Sequence, residues 1–325
     1  MNKNALIMGI IWICVALAGT FFLIKGLTMN GSNFENKDKW KNAEIVKDFM
    51  GDDEMDNEIV ESGERTLKTG AECIFDAEEL NLIKVECHSA GLIYNLSNDG
   101  KIHVNALGNW EKNQLPKVEC GNGTLFIKTP RPKIMFFMPS FSKKEIEILV
   151  PAECLSKNTV IKSSCASGST KIDNFDVKNI QIESASGSVS INTSCADKIS
   201  LESASGSTKF DDCSFGYVQI ESASGSLNLS GKFEQFNIES ASGSIKIEND
   251  IALTKDSSIE AVSGSITLLM PEDSNYNLVY QSVSGRFSDE LTGTSGGRSG
   301  SVVKGDGSVK IKIESVSGSI KILKN

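Results

Sequence analysis

From Val160 onward, aliphatic residues fall at every second position on both sides of a small Ser-Gly pair, and the whole arrangement recurs. In QIESASGSVSI (Gln181 to Ile191), Ile182 precedes the glycine by five residues, while Val189 and Ile191 follow it by two and four. Leu201, Ile220, Ile238 and Ile259 repeat the first position, and Leu227/Leu229, Ile245/Ile247 and Ile266/Leu268 repeat the second. The turn glycines are Gly168, Gly187, Gly206, Gly225, Gly243, Gly264, Gly285 and Gly318, at intervals of 19, 19, 19, 18, 21, 21 and 33 residues. Alternation of period two marks strands that bury one face. A fixed interval near twenty marks a solenoid whose repeats are single turns of a coil. The expected fold is all-β: a parallel β-helix or β-solenoid of 19–21-residue coils, with a tight bend at each glycine.

Upstream the pattern is less regular. VECGNGTLFI (Val118 to Ile127) aligns with the repeat position by position, and KVEC occurs at Lys84 to Cys87 and again at Lys117 to Cys120. Cysteine therefore reads as a small inward residue that substitutes for serine. The run from Ile134 to Pro151 interrupts the repeat and is expected to cap the first coils. LTGTSGGRSGSVVKGDGS, between the last two glycines, reads as a Gly/Ser-rich loop, of a length that is often functional or disordered. The chain ends at Asn325 with no visible cap, which leaves an open coil as an expectation.

The N-terminal part differs in kind. Ala5 to Ile24 contains no charged residue and is flanked by Lys3 and Lys25. Twenty residues of helix rise about 30 Å, one hydrocarbon thickness. Ala16-Leu17-Ala18 resembles a signal-peptidase site, but the apolar run continues beyond it through Phe21 to Ile24, and Thr20 stands where a lipoprotein would carry cysteine. The segment is read as a transmembrane helix held in the lipid bilayer. The organisation expected is an anchor over 1–27, an acidic linker over 28–66, an irregular β start over 67–159 and tandem coils over 160–325. Lysines after the span favour a cytoplasmic domain by simple count, but long domains translocate largely regardless of charge. The cell membrane, with the solenoid outside, is the favoured placement.

Composition removes several function classes. The net charge is −9, so there is no basic field for nucleic acid. Apart from Cys14 in the span, seven cysteines remain, an odd number without any CxxC. Cys195 and Cys213 fall eight and seven residues after their glycines, so stacking in adjacent layers would permit a disulfide. His88 and His103 lack partners at metal-ligand spacing, and no cofactor motif is present. Ser140 to Lys143 matches SxxK and Lys68 to Gly70 matches KTG, but in the wrong order and without a helix to carry the serine.

The anchor, the irregular β start, the VP-containing turn and the tandem SASGSI-type coils together resemble the bacterial "putative adhesin" domain. That domain of unknown function is also seen in LiaG- and YvlB-like envelope-stress proteins. The resemblance covers Leu67 to Asn325 and implies a β-solenoid at the cell envelope, with no catalytic residues to carry over.

One outward column carries charge. Glu183, Glu202, Glu221, Glu239, Glu260 and Glu314 precede their glycines by four residues, with Lys162 and Gln281 as the exceptions expected. A stripe of carboxylates would bind cations or a basic partner; equally, it would keep a stacked sheet soluble and block lateral pairing. The function expected is non-enzymatic binding, adhesion or stress sensing at the envelope, with a wall polymer, a basic peptide or a protein as ligand. Two alternatives stand beside it: a scaffold that self-associates through its solenoid ends, and a carbohydrate-active parallel β-helix enzyme. The enzyme would need carboxylates that converge on a groove, and these run in a line.

Overall fold

The computed structural model describes residues 66–130 and 143–325, and Arg65–Asn325 form one compact unit. The anchor segment Ala5 to Ile24 and nearly all of the linker lie outside the described residues. Among the described residues, no helix is long and apolar enough to cross a membrane.

Two parallel sheets face each other across a single core. The first holds the strands that lead into each bend, in the order Leu82–Cys87, Val160–Cys165, Asp176–Ser184 and Cys195–Ser203. It continues through the later halves of the long strands Thr208–Ser222 and Leu227–Ser242. The second sheet holds the strands that leave each bend, among them Gly91–Ser97, Thr170–Asp173, Val189–Asn192 and Ile245–Asn249. Inward residues are buried as the alternation requires: Ile180, Ile182, Val189 and Ile191 are each at most 1% exposed. Each such side chain contributes roughly 1.5–3 kcal/mol on burial.

The bends are bonded to one another as closely as the strands. Gly187 N donates to Ser205 O at 3.0 Å, Val189 N to Ser207 O at 3.0 Å, and Ala204 N to Ser184 O at 2.9 Å. A β-carbon on Gly206 would lie 2.1 Å from the carbonyl oxygen of Gly187, and Gly206 adopts φ +129°. The other turn glycines repeat this contact at 2.0–2.2 Å, and all but Gly285 also have positive φ. At the opposite corner, Asn174, Thr193 and Asp212 take φ of 63°, 46° and 51°, a conformation that Asn and Asp tolerate better than Thr. Asn249 fills the same corner further along and is fully bonded: its Oδ1 accepts from Phe233 N, and its Nδ2 donates to Phe233 O and Ile251 O.

Both ends depart from chain order. Lys310–Ser317 lies between Ser257–Ser263 and Tyr276–Ser284, and Ile320–Lys324 lies between Ile266–Met270 and Phe287–Asp289. The last coil is thus the penultimate layer, and the Gly285 coil sits outside it. The expected open C-terminal coil is therefore incorrect: the terminal strands are covered. The Gly/Ser-rich stretch is not a structureless loop either. Thr294–Gly296 and Ser299–Lys304 are strands that pair antiparallel with Phe287–Asp289 and Tyr276–Ser284. At the other end, Lys144–Pro151 and Thr124–Lys128 flank the coil formed by Leu82–Cys87 and Gly91–Ser97, although they follow it in the chain. Antiparallel strands again close the edge, with Lys101–Gly108 against Lys144–Pro151 and Glu72–Asp76 beyond.

The aligned stretch VECGNGTLFI is a hairpin and not a coil. Cys120 pairs antiparallel with Leu125 and Gly121 with Thr124, across Asn122 at φ 56° and Gly123 at φ 70°. Two central residues with positive φ define the type I′ turn, for which Asn-Gly is the preferred pair. The true first coil carries CHSAGL (Cys87 to Leu92), whose residues pair with CASGST (Cys165 to Thr170) at Cys87↔Cys165 and Leu92↔Thr170. Cys195 faces Ser214 and Asp176, while Cys213 faces Gly231, so the suggested Cys195–Cys213 disulfide is absent and both thiols are free.

Gly206→Ala sets a β-carbon against backbone that is itself locked in the stack, and should lower unfolding free energy by about 3 kcal/mol in urea titration of the full chain. Ser207→Ala, on an exposed neighbour, should change it by less than about 0.5 kcal/mol. Equal midpoints for the two variants would contradict the close contact.

Candidate functional site

The glutamate column stands on the outer face of the first sheet, where the register is continuous. Glu183 pairs with Glu202, Glu202 with Glu221, Glu221 with Glu239, and Glu239 with Glu260. Glu260 then pairs with Glu314, and Gln281 follows Glu314. In chain order Gln281 would interrupt the column before Glu314. Intercalation of the last coil moves it to the end, so six carboxylates run without a break. At the other end, the residue in line with Glu183 is Ser164 and not Lys162, which pairs with Gln181; Glu86 follows Ser164.

Cations bracket the column. Burial disfavours ionisation of Glu86, but the ammonium groups of Lys84 at 3.1 Å and Lys128 at 3.2 Å outweigh it and hold the carboxyl below its ordinary value. Lys312 lies 3.0 Å from Glu314 and 3.6 Å from Glu260; these contacts overcome its partial burial and raise its pKa. Midway, Glu202 is pushed up by partial burial and by the neighbouring charges of Glu221 and Glu183. Tyr217, on the same strand as Glu221, is also pushed up, by burial first and then by Glu221 and Glu239, and Lys198 lies 5.3 Å above its ring.

Like charges one strand apart, about 4.8 Å, destabilise a sheet. The second sheet avoids this on its own outer face, where Lys171, Lys209 and Lys246 each pair with the carboxylate two residues on: Asp173, Asp211 and Glu248. The two faces share one repeat but differ in charge balance.

The serines that mark the repeat face inward. Ser184, Ser203, Ser222, Ser240, Ser315 and Ser282 are buried and share a column with Cys87, Cys165 and Ala261. The hydroxyls of Ser203, Ser222, Ser240, Ser282 and Ser315 have no hydrogen-bond partner. A column that accepts Ser, Cys and Ala alike selects for size, not for nucleophilicity.

The remaining candidates are engaged elsewhere. Lys68 donates to Ile74 O, and Lys143 pairs with Glu145 at 2.7 Å, while Ser140 lies outside the described residues. His88 bonds Thr129 and His103 bonds Asp99, and among the described residues no group of His, Cys, Asp and Glu could hold a metal ion. A side pocket of about 290 Å³ opens between Leu96, Ala152, Leu155, Ser156 and Asn174, with the Lys157–Asp176 ion pair at its rim. Sequence reading missed Glu86 and the lysine brackets. The first KVEC, in phase with the later coils, carried that signal.

The architecture defines an all-β solenoid with a charged outer face. Its sequence matches the Toastrack DUF4097 family over residues 80–323, and the chain belongs to that family. The relationship agrees with the adhesin-type resemblance found from the repeat. Among solved structures, a "putative adhesin" from Bacteroides fragilis is 15% identical, with 81% of this chain and 98% of that chain covered and a TM-score of 0.47. A "putative lipid binding protein" from Parabacteroides distasonis is 16% identical, covering 80% and 97% of the two chains with a TM-score of 0.45. A "putative adhesin" from the same organism is 13% identical, at 80% and 98% coverage and a TM-score of 0.43. No curated protein matches the chain.

Because the folded pKa of Glu202 lies above its unfolded value, its protonation stabilises the fold below the ordinary glutamate range, and that stabilisation is lost as pH rises through the raised value. Glu202→Gln should therefore raise the melting temperature at pH 7 by about 1–3 °C, with the gain shrinking toward pH 4. Thermal scans across this range check it; a destabilised variant at pH 7 would refute the repulsive column.

Proposed function

We propose that this chain is a non-enzymatic, membrane-anchored protein of the cell envelope that displays its solenoid outside the membrane and binds a cationic partner along the glutamate column. The observation that carries the reading is the unbroken register of Glu183, Glu202, Glu221, Glu239, Glu260 and Glu314. Six rungs span about 24 Å, the length of seven or eight extended residues. A basic peptide or a basic segment of a protein matches that line in both length and charge. The apolar run Ala5 to Ile24 supports the anchor, and the acidic linker supplies reach from the membrane surface. A linear array favours a binding surface over a catalytic one, because glycoside chemistry needs two carboxylates facing one bond.

The test is fluorescence polarisation of a labelled oligolysine of about nine residues with the full chain in detergent micelles. The Glu202→Gln/Glu221→Gln/Glu239→Gln variant should bind at least about tenfold more weakly, and wild-type affinity should fall steeply from about 50 to 300 mM salt. Equal affinity for the variant would sink the proposed site. Placement is tested separately by protease shaving of intact cells: cutting within residues 28–65 supports outward display, and protection until the membrane is broken refutes it.

A further inference from the structure

The inner serine column has two cysteines, and they are neighbours. Leu82–Cys87 and Val160–Cys165 are adjacent parallel strands, and their final residues, Cys87 and Cys165, are register partners. Both side chains point into the bend, at 2% and 0% exposure. Both thiols reach the same acceptor: the carbonyl oxygen of Ala90 lies 3.6 Å from the Cys87 sulfur and 3.4 Å from the Cys165 sulfur. Register partners on adjacent strands lie about 4.8 Å apart at Cα, within the 4.4–6.8 Å range of disulfides.

The other strand-borne cysteines have different neighbours in the register. Cys73 faces Val104, Cys120 faces Leu125 and Thr66, Cys195 faces Ser214 and Asp176, and Cys213 faces Gly231. Cys154 sits in the short helical turn Ala152–Cys154. The pairing of two cysteines in one column is specific to the first two bends.

We propose that Cys87 and Cys165 form an oxidisable dithiol that closes to a disulfide and staples the coil of residues 82–97 to the coil of residues 160–173. Hydrogen peroxide is a sufficient oxidant. The Cys87 sulfur attacks the peroxide O–O bond, forming an S–O bond and releasing hydroxide, which takes the thiol proton and leaves as water. The Cys165 sulfur then attacks the Cys87 sulfur. The S–S bond forms, the S–O bond breaks, and the departing hydroxide leaves as a second water with the Cys165 proton. Two thiols lose two electrons and two protons in all, and one peroxide becomes two waters.

The experiment uses the reduced full chain in detergent, treated with hydrogen peroxide, alkylated, and mapped by non-reducing peptide mass spectrometry. The expected product is a Cys87–Cys165 linked peptide lacking two hydrogens. It should come with a rise in melting temperature of about 5 °C or more that dithiothreitol reverses. Cys165→Ser restores the residue that fills this slot in the next coils, so the variant should fold. It should lose both the link and the shift, and leave Cys87 as a sulfenic acid that dimedone traps. A second arm unfolds the protein in guanidinium and refolds it in a glutathione redox buffer, so that burial does not limit access. The link in either arm supports the proposal. Two free thiols in both arms, a link to any other cysteine, or a link without a rise in melting temperature would overturn it.

Discussion

A β-carbon on any of the turn glycines would stand about 2 Å from the carbonyl oxygen of the neighbouring bend. That contact sets the geometry of everything else. With glycine there, successive bends approach to hydrogen-bonding distance, and amide ladders run round the corner instead of stopping at the strand ends. A bend stacked on a bend leaves no freedom to slide, so strands on both sides are locked in register. Register then sorts the side chains: aliphatics stack on aliphatics in the core, small residues fill the inside of the bend, and whatever faces outward is repeated as a line. Neither the glutamate column nor the cysteine pair requires a separate cause, since each follows from one position of the repeat held in phase by the glycines.

What the sequence revealed about the fold depended on how local the evidence was. From Gly168 to Gly264 each coil follows the last in chain order, so its period, its strands and its inward and outward positions could be read from spacing alone. Three features could not. The first bend has Ala90 in place of glycine and no Ser-Gly pair. The hairpin around Asn122 and Gly123 shares the two-residue alternation of a coil, because strands of either direction bury every second residue. The 33-residue interval before Gly318 looks like an insertion, whereas the real event is a change in stacking order, which spacing does not encode. The glutamates were legible as a set; their continuity was not, because it depends on where Gln281 is moved.

The column works against the stability of the sheet that displays it. Glu202 has carboxylates as its charged neighbours, and its burial at the sheet face adds to the cost of ionisation. The opposite face shows that the same repeat accommodates a lysine beside each acid, as at Lys171–Asp173 and Lys246–Glu248. Lys312 pairs with Glu314 and Glu260 at one end of the line, and Lys84 and Lys128 pair with Glu86 beyond Ser164 at the other, while Glu202 stands between the charges of Glu183 and Glu221. A cationic ligand laid along the middle would relieve that repulsion. Its binding energy would thus include the relief of strain in the free protein as well as the new contacts.

The exchanged order of the last two coils bears on how the chain is completed during synthesis. Tyr276–Ser284 and its antiparallel partner Ser299–Lys304 leave the ribosome before the strand that must lie beneath them. At about 5–20 residues per second, the twenty residues that follow Lys304 take about 1–4 s to appear. For that interval the outer hairpin has one edge vacant and the growing stack has another. Both are filled by Lys310–Ser317 and Ile320–Lys324, which follow them in the chain. Closure of the solenoid therefore waits for that segment, and a chain lacking it would lose a layer from within the stack, leaving its outermost layer without a seat.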